Sequence, residues 1–135
     1  MTQLNFSNKG GTHPDRLSII QKLINAYKMW HEFLPHFPKN SRYTLGSKID
    51  SLFIETIKCI MIAKYLNPKD KIAHLKKASL GLDLLKFFLQ LSWEIKSLDN
   101  KKYIALSEKI EEIGKMIGGW IGKTKKLLEK TPAKK

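Results

Sequence analysis

The side chains best suited to proton transfer or metal ligation are His13, His31, His36 and His74, and no two of them lie three or four residues apart. None forms the Glu-x-x-His pair that di-metal helical bundles place on facing helices, and Asp70 with His74 is a single isolated pair one turn apart. Cys59 sits in the apolar run Ile57-Lys58-Cys59-Ile60-Met61, where burial keeps a thiol protonated and inert. Neither a glycine-rich phosphate loop nor a serine-centred elbow occurs. These residues predict a protein without catalytic or metal-binding machinery and without a cofactor. One cysteine cannot form an intramolecular disulfide, which fits a reducing, cytosolic setting.

The other chemistry on offer is charge. The chain carries 25 Lys and Arg against 12 Asp and Glu, a net +13, and only Arg16 and Arg42 are not lysine. Lys64, Lys69, Lys71, Lys76, Lys77, Lys86, Lys96, Lys101, Lys102, Lys109, Lys115, Lys123, Lys125, Lys126 and Lys130 populate the back half. A solvated surface that intersperses signs accounts for Lys109 beside Glu108, Glu111 and Glu112, but not for the excess. Contact with a phosphate backbone does account for it, because each neutralised phosphate releases counterions and gives affinity without sequence readout. An acidic small substrate would leave most of this charge unexplained. A cationic amphipathic helix lying on a membrane over Ile113 to Leu128 competes poorly, since the same apolar positions are needed for a core. No stretch reaches the ~18 apolar residues of a membrane span.

At 135 residues the chain matches one domain, and its 42% hydrophobic residues can fill a core unaided. Residues 1–14, with Gly10, Gly11 and Pro14, read as an N-terminal arm, residues 15–130 as the folded domain and residues 131–135 as a basic tail. Apolar residues recur at steps of three and four in four segments. The first, with Leu17, Ile20, Leu23, Ile24, Tyr27 and Trp30, ends at Leu34 before Pro35. The second carries Leu45, Ile49, Phe53, Ile57 and Ile60 and is predicted to end near Leu66. Asn67, Pro68 and Asp70 form a helix start, and the third helix is predicted to reach Leu98. Asp99-Asn100 opens the fourth, with Tyr103, Leu106, Ile110, Ile113, Ile117, Trp120 and Leu127 on one seam. Short connections force antiparallel neighbours, so the predicted fold is all-α, an up-down-up-down four-helix bundle.

Two features exceed what one bundle needs. The third helix carries two stripes: Leu75, Ala78, Leu82, Leu85 and Leu89 form one, and Leu84, Phe88, Leu91, Ile95 and Leu98 the other. A second stripe calls for a second partner, as a subunit interface would supply. In the fourth helix Gly114, Gly118, Gly119 and Gly122 each cost ~1 kcal/mol relative to Ala. Either another backbone approaches closely there, with Trp120 packing beside it, or the helix is kinked or frayed.

Three stretches together resemble the accessory variability determinant, Avd, of diversity-generating retroelements: Arg42-Tyr43-Thr44-Leu45-Gly46-Ser47-Lys48-Ile49, Leu75 to Leu89, and Ile113 to Ile121 with its Gly-Gly-Trp. The resemblance covers about residues 17–128 and extends to four-helix proteins of ribosomal RNA intervening sequences. It implies a homopentamer of four-helix bundles with a basic surface, no catalytic activity, and binding both to nucleic acid and to the retroelement's reverse transcriptase. It further implies support for copying a template-repeat RNA into mutagenised cDNA. The alternative is an intervening-sequence type of bundle with a role unconnected to a reverse transcriptase. Family cations fall on Arg42, Lys86, Lys123 and Lys126, while a cation common in the family four residues after Lys86 is here Gln90. With their neighbours, the candidate nucleic-acid contacts are Arg42, Lys76, Lys77, Lys86, Lys123, Lys125 and Lys126. Leu84, Phe88, Leu91, Gly114, Gly118, Gly119 and Trp120 are the candidate packing and assembly residues. Where Lys replaces the family's Arg, charge survives but bidentate recognition weakens.

Overall fold

A computed structural model describes residues 14–130. Residues 1–13, the predicted 1–14 arm except for Pro14, and the tail over 131–135 lie outside the described residues, and Pro14 itself opens α1. Five α-helices follow in order: α1 (Pro14–Phe33), the single turn α2 (Lys39–Ser41), α3 (Ser47–Ala63), α4 (Pro68–Glu94) and α5 (Asn100–Lys130), and among the described residues there is no strand. The four long helices form the bundle, with α3 packed on α4, α4 on α5, α5 on α1 and α1 on α3.

Proline ends α1 as expected. Leu34–His36 tightens into a 3-10 turn closed by the Phe37 N–H on the Leu34 carbonyl at 3.0 Å. Phe37 then drops into the core against Trp30, ring centroids 5.4 Å apart. The link from α1 to α3 is itself partly helical. It runs through α2 and a wide π turn over Arg42–Gly46, neither with a side-chain cap.

At the next junction the local signals suffice. The Asn67 side chain accepts the Asp70 N–H at 3.0 Å, Pro68 occupies the first turn, and the Asp70 carboxylate lies at the positive end of α4. The second helix stops at Ala63 rather than Leu66, because residues 64–67 are taken up by this turn.

The third helix ends at Glu94, four residues before the predicted Leu98. Lys96 adopts φ 67°, its N–H reaches the Trp93 carbonyl, and the Ser97 N–H reaches the Ser92 carbonyl at 2.8 Å. That pair of bonds is a Schellman cap built on lysine instead of the usual glycine. Ser97 also meets Ser41 of α2, Oγ to Oγ at 2.7 Å, and ties this turn to the α1–α3 link. Asp99 then opens α5 by accepting the Lys102 N–H at 2.9 Å.

Trp30, Phe53, Ile49, Ile60, Leu75, Leu82, Leu85, Leu89, Leu106, Ile110 and Ile117 are fully buried along the bundle axis. The first stripe of α4 is therefore the core stripe, as read. The fourth seam departs from expectation at its end: Leu127 is 56% exposed, and Thr124 is buried instead, its Oγ1 donating to the Trp120 carbonyl at 2.8 Å. A straight helix drifts away from a seven-residue repeat, and a threonine that satisfies its own hydroxyl can take the inward position.

Candidate nucleic-acid interface

Antiparallel packing fixes which charges meet. Lys71 in the second turn of α4 lies over the Trp120 ring of α5 at 5.7 Å, and Lys86 further along pairs with Glu111 at 3.1 Å. The start of α4 therefore lies beside the last third of α5, together with the end of α3. Residues 64–77 and 115–130 contribute ten lysines and only two acids, Asp70 and Glu129, to that half of the bundle. The opposite half, residues 28–50 and 94–112, holds eight Lys and Arg against seven acids. The excess charge is gathered at one end.

Lys76, Lys77, Lys123, Lys125 and Lys126, chosen from sequence, all stand exposed in this basic half. Lysines near the C-terminus of α5 also oppose the negative end of its dipole, so part of their effect is on the helix itself. Lys69 and Lys71 belong to the same group although the sequence reading did not single them out. The signal that could have found them is the antiparallel register, which sets the first turns of α4 against the last turns of α5.

Two other candidates stand elsewhere. Arg42 lies at the opposite end, where its Nη2 donates to the Pro35 and Phe37 carbonyls at 3.0 Å each, so the guanidinium is engaged in holding the α1–α3 link. Lys86 lies midway along the bundle with its charge opposed by Glu111. Neither is part of the basic end.

The packing candidates also separate. Trp120 is buried within the subunit, and Phe88 is half-buried against the core. Leu84 is 38% exposed and falls in line with Leu80 at 57% and Phe87 at 56%, an outward apolar row one to two turns apart, with half-buried Leu91 continuing it. The glycines meet neither alternative raised from sequence within the subunit. The α5 helix runs unbroken through them; a Cβ on Gly118, Gly119 or Gly122 would have nothing within 4 Å, and one on Gly114 only Leu82 Cδ1 at 4.0 Å.

Among the described residues no three His, Cys, Asp or Glu side chains converge in a way that could hold a metal ion. Cys59 is buried and its thiol is pushed up, mainly by desolvation, with Lys77 opposing in part. Among the described residues no helix is long and apolar enough to cross a membrane.

A family model described as bAvd-like matches the sequence over residues 17–124. The chain belongs to the bAvd-like family. The match starts within α1 and ends within α5, so it takes in most of the four-helix unit, including α3 and α4 entire, and most of the basic end. The resemblance to Avd read from the three sequence stretches is thereby shown, and with it membership of a family of retroelement accessory proteins. No curated protein matches the sequence.

Proposed function

We propose that this bAvd-like protein is a non-catalytic accessory subunit of a diversity-generating retroelement, which grips template-repeat RNA or its cDNA through the basic end of the bundle and binds the reverse transcriptase. In this reading it supports mutagenic retrohoming in the cytoplasm. The observation that carries it is the collection of ten lysines against two acids over residues 64–77 and 115–130. Lysine ammonium groups are point charges, suited to phosphates irrespective of base sequence. Assembly into a homopentamer belongs to the same reading, and the exposed row Leu80, Leu84 and Phe87 on α4 supports it as a surface that self-association would cover.

Reversing Lys123, Lys125 and Lys126 to Glu tests the proposal. RNA binding measured by fluorescence anisotropy should be lost, and the dependence of affinity on salt should flatten. The same reversal at Lys39, Lys48 and Lys101, in the opposite half, should leave binding nearly intact. Equal loss from both triple variants would reject a localised interface. Co-purification with the neighbouring reverse transcriptase tests the protein partner, and its absence would favour the intervening-sequence type of role.

A further inference from the structure

Among the described residues, Tyr65 is the one large aromatic side chain exposed at the basic end, with 77% of its surface open. It stands in the short turn between α3 and α4, and that turn is firmly held. The Tyr65 N–H bonds the Ile62 carbonyl at 3.0 Å, the Leu66 N–H bonds the Ala63 carbonyl at 3.3 Å, and Asn67 caps α4 immediately after. The ring is thus presented from a fixed base. Lys64 Nζ lies 5.5 Å from its centroid, and Lys69 and Lys71 follow within two turns. The other exposed aromatic residues are placed differently: Tyr43 is at the far end, Phe87 lies in the apolar row of α4, and Trp93 stacks on Tyr103 at 5.0 Å.

We propose that Tyr65 is a stacking platform for an unpaired base, so that the basic end takes single-stranded RNA or DNA in preference to duplex. The inference rests on reading that end as the nucleic-acid interface. Lysines on either side of the turn hold successive phosphates, and the base between them is carried to the exposed ring. Every base has a π face, so stacking adds affinity without sequence preference, in keeping with a surface of lysines that does not read base edges. In a duplex the bases are already stacked on one another and cannot use the ring.

The test compares the full chain with Tyr65→Ala and Tyr65→Phe, using a labelled single strand of mixed sequence and the same strand annealed to its complement. Tyr65→Ala should weaken single-strand binding by about 5- to 150-fold, the range for one base stacked on an aromatic ring. It should leave duplex affinity and both salt slopes unchanged, and Tyr65→Phe should bind as the unaltered protein does. An undiminished affinity, an equal loss on duplex, or a changed assembly mass in light scattering would each overturn the stacking role, the last because the ring would then pack against another copy. Failure of the unaltered protein to bind either form in dilute buffer would instead remove the underlying interface reading and this proposal with it.

Discussion

Tyr27 and Trp30, one turn apart on α1, both donate to the same oxygen of Asp50 on α3, the hydroxyl at 2.9 Å and the indole N–H at 3.1 Å. Trp30 is fully buried, so its N–H has no water to fall back on. Tyr27 ionises with difficulty here, pushed up by burial and by the bond to the Asp50 carboxylate.

Asp50→Ala leaves the buried indole N–H without an acceptor and should cost about 1 to 3 kcal/mol in urea unfolding. Tyr27→Phe removes the half-exposed hydroxyl donor of one of the two bonds to Asp50 and should cost about 0.5 to 1.5 kcal/mol. Asp50→Asn retains a carbonyl oxygen and should fall below Asp50→Ala. The reverse order would mean that Asp50 does not anchor α1 to α3.

Gly81 and Gly118 should respond in opposite directions to alanine. A Cβ on Gly81 would stand 2.5 Å from Thr56 Oγ1, a buried hydroxyl without a hydrogen-bond partner. Gly81→Ala should therefore destabilise by about 1 to 3 kcal/mol despite alanine's helix propensity. Adding Thr56→Ala should recover much of the loss, because only the Cβ at 3.8 Å remains. Gly118→Ala meets open space and should stabilise an isolated subunit by up to about 1 kcal/mol. If it also lowers the assembled mass in light scattering, the glycine face is a contact between copies.

The Lys86 to Glu111 pair is exposed on both sides, which limits its worth to about 0 to 1 kcal/mol. Lys86→Ala should thus barely change the melting temperature. It should also weaken RNA binding less than Lys126→Ala in anisotropy titrations, because Glu111 already opposes its charge and it lies away from the basic end.

Asp99 is held below the usual aspartate value of 3.8, first by the Lys102 backbone N–H and then by the Lys102 ammonium. A lowered folded pKa means that its contribution is present above the unfolded value and is lost as pH falls through the folded one. Asp99→Asn keeps the cap without the titration. The variant should lose less stability than the unaltered protein when acidified below the aspartate range, as followed by circular dichroism.

Where a structural choice is made by neighbours in sequence, it could be read directly. Asn67, Pro68 and Asp70 announce α4, Pro35 ends α1, and the core stripe Leu75, Ala78, Leu82, Leu85 and Leu89 follows from period alone. The end of α4 was hidden because Lys96 takes the left-handed position that glycine normally marks. Thr124 and Ser92 are buried polar residues whose hydroxyls bond the preceding turn, a solution that residue type does not reveal. Among the charged candidates, Lys76, Lys77, Lys123, Lys125 and Lys126 come together because helix direction was inferable. Arg42 and Lys86 do not, since their engagement with carbonyls and with Glu111 depends on the tertiary register.

The lopsided distribution of lysine gives the subunit an electrical polarity along its length. A polyanion in solution orients such a rod before touching it, drawing one tip inward and turning the other away. A strand held this way leaves the remote tip, with Tyr43 and Trp93 at its surface, open to a second macromolecule at the same time.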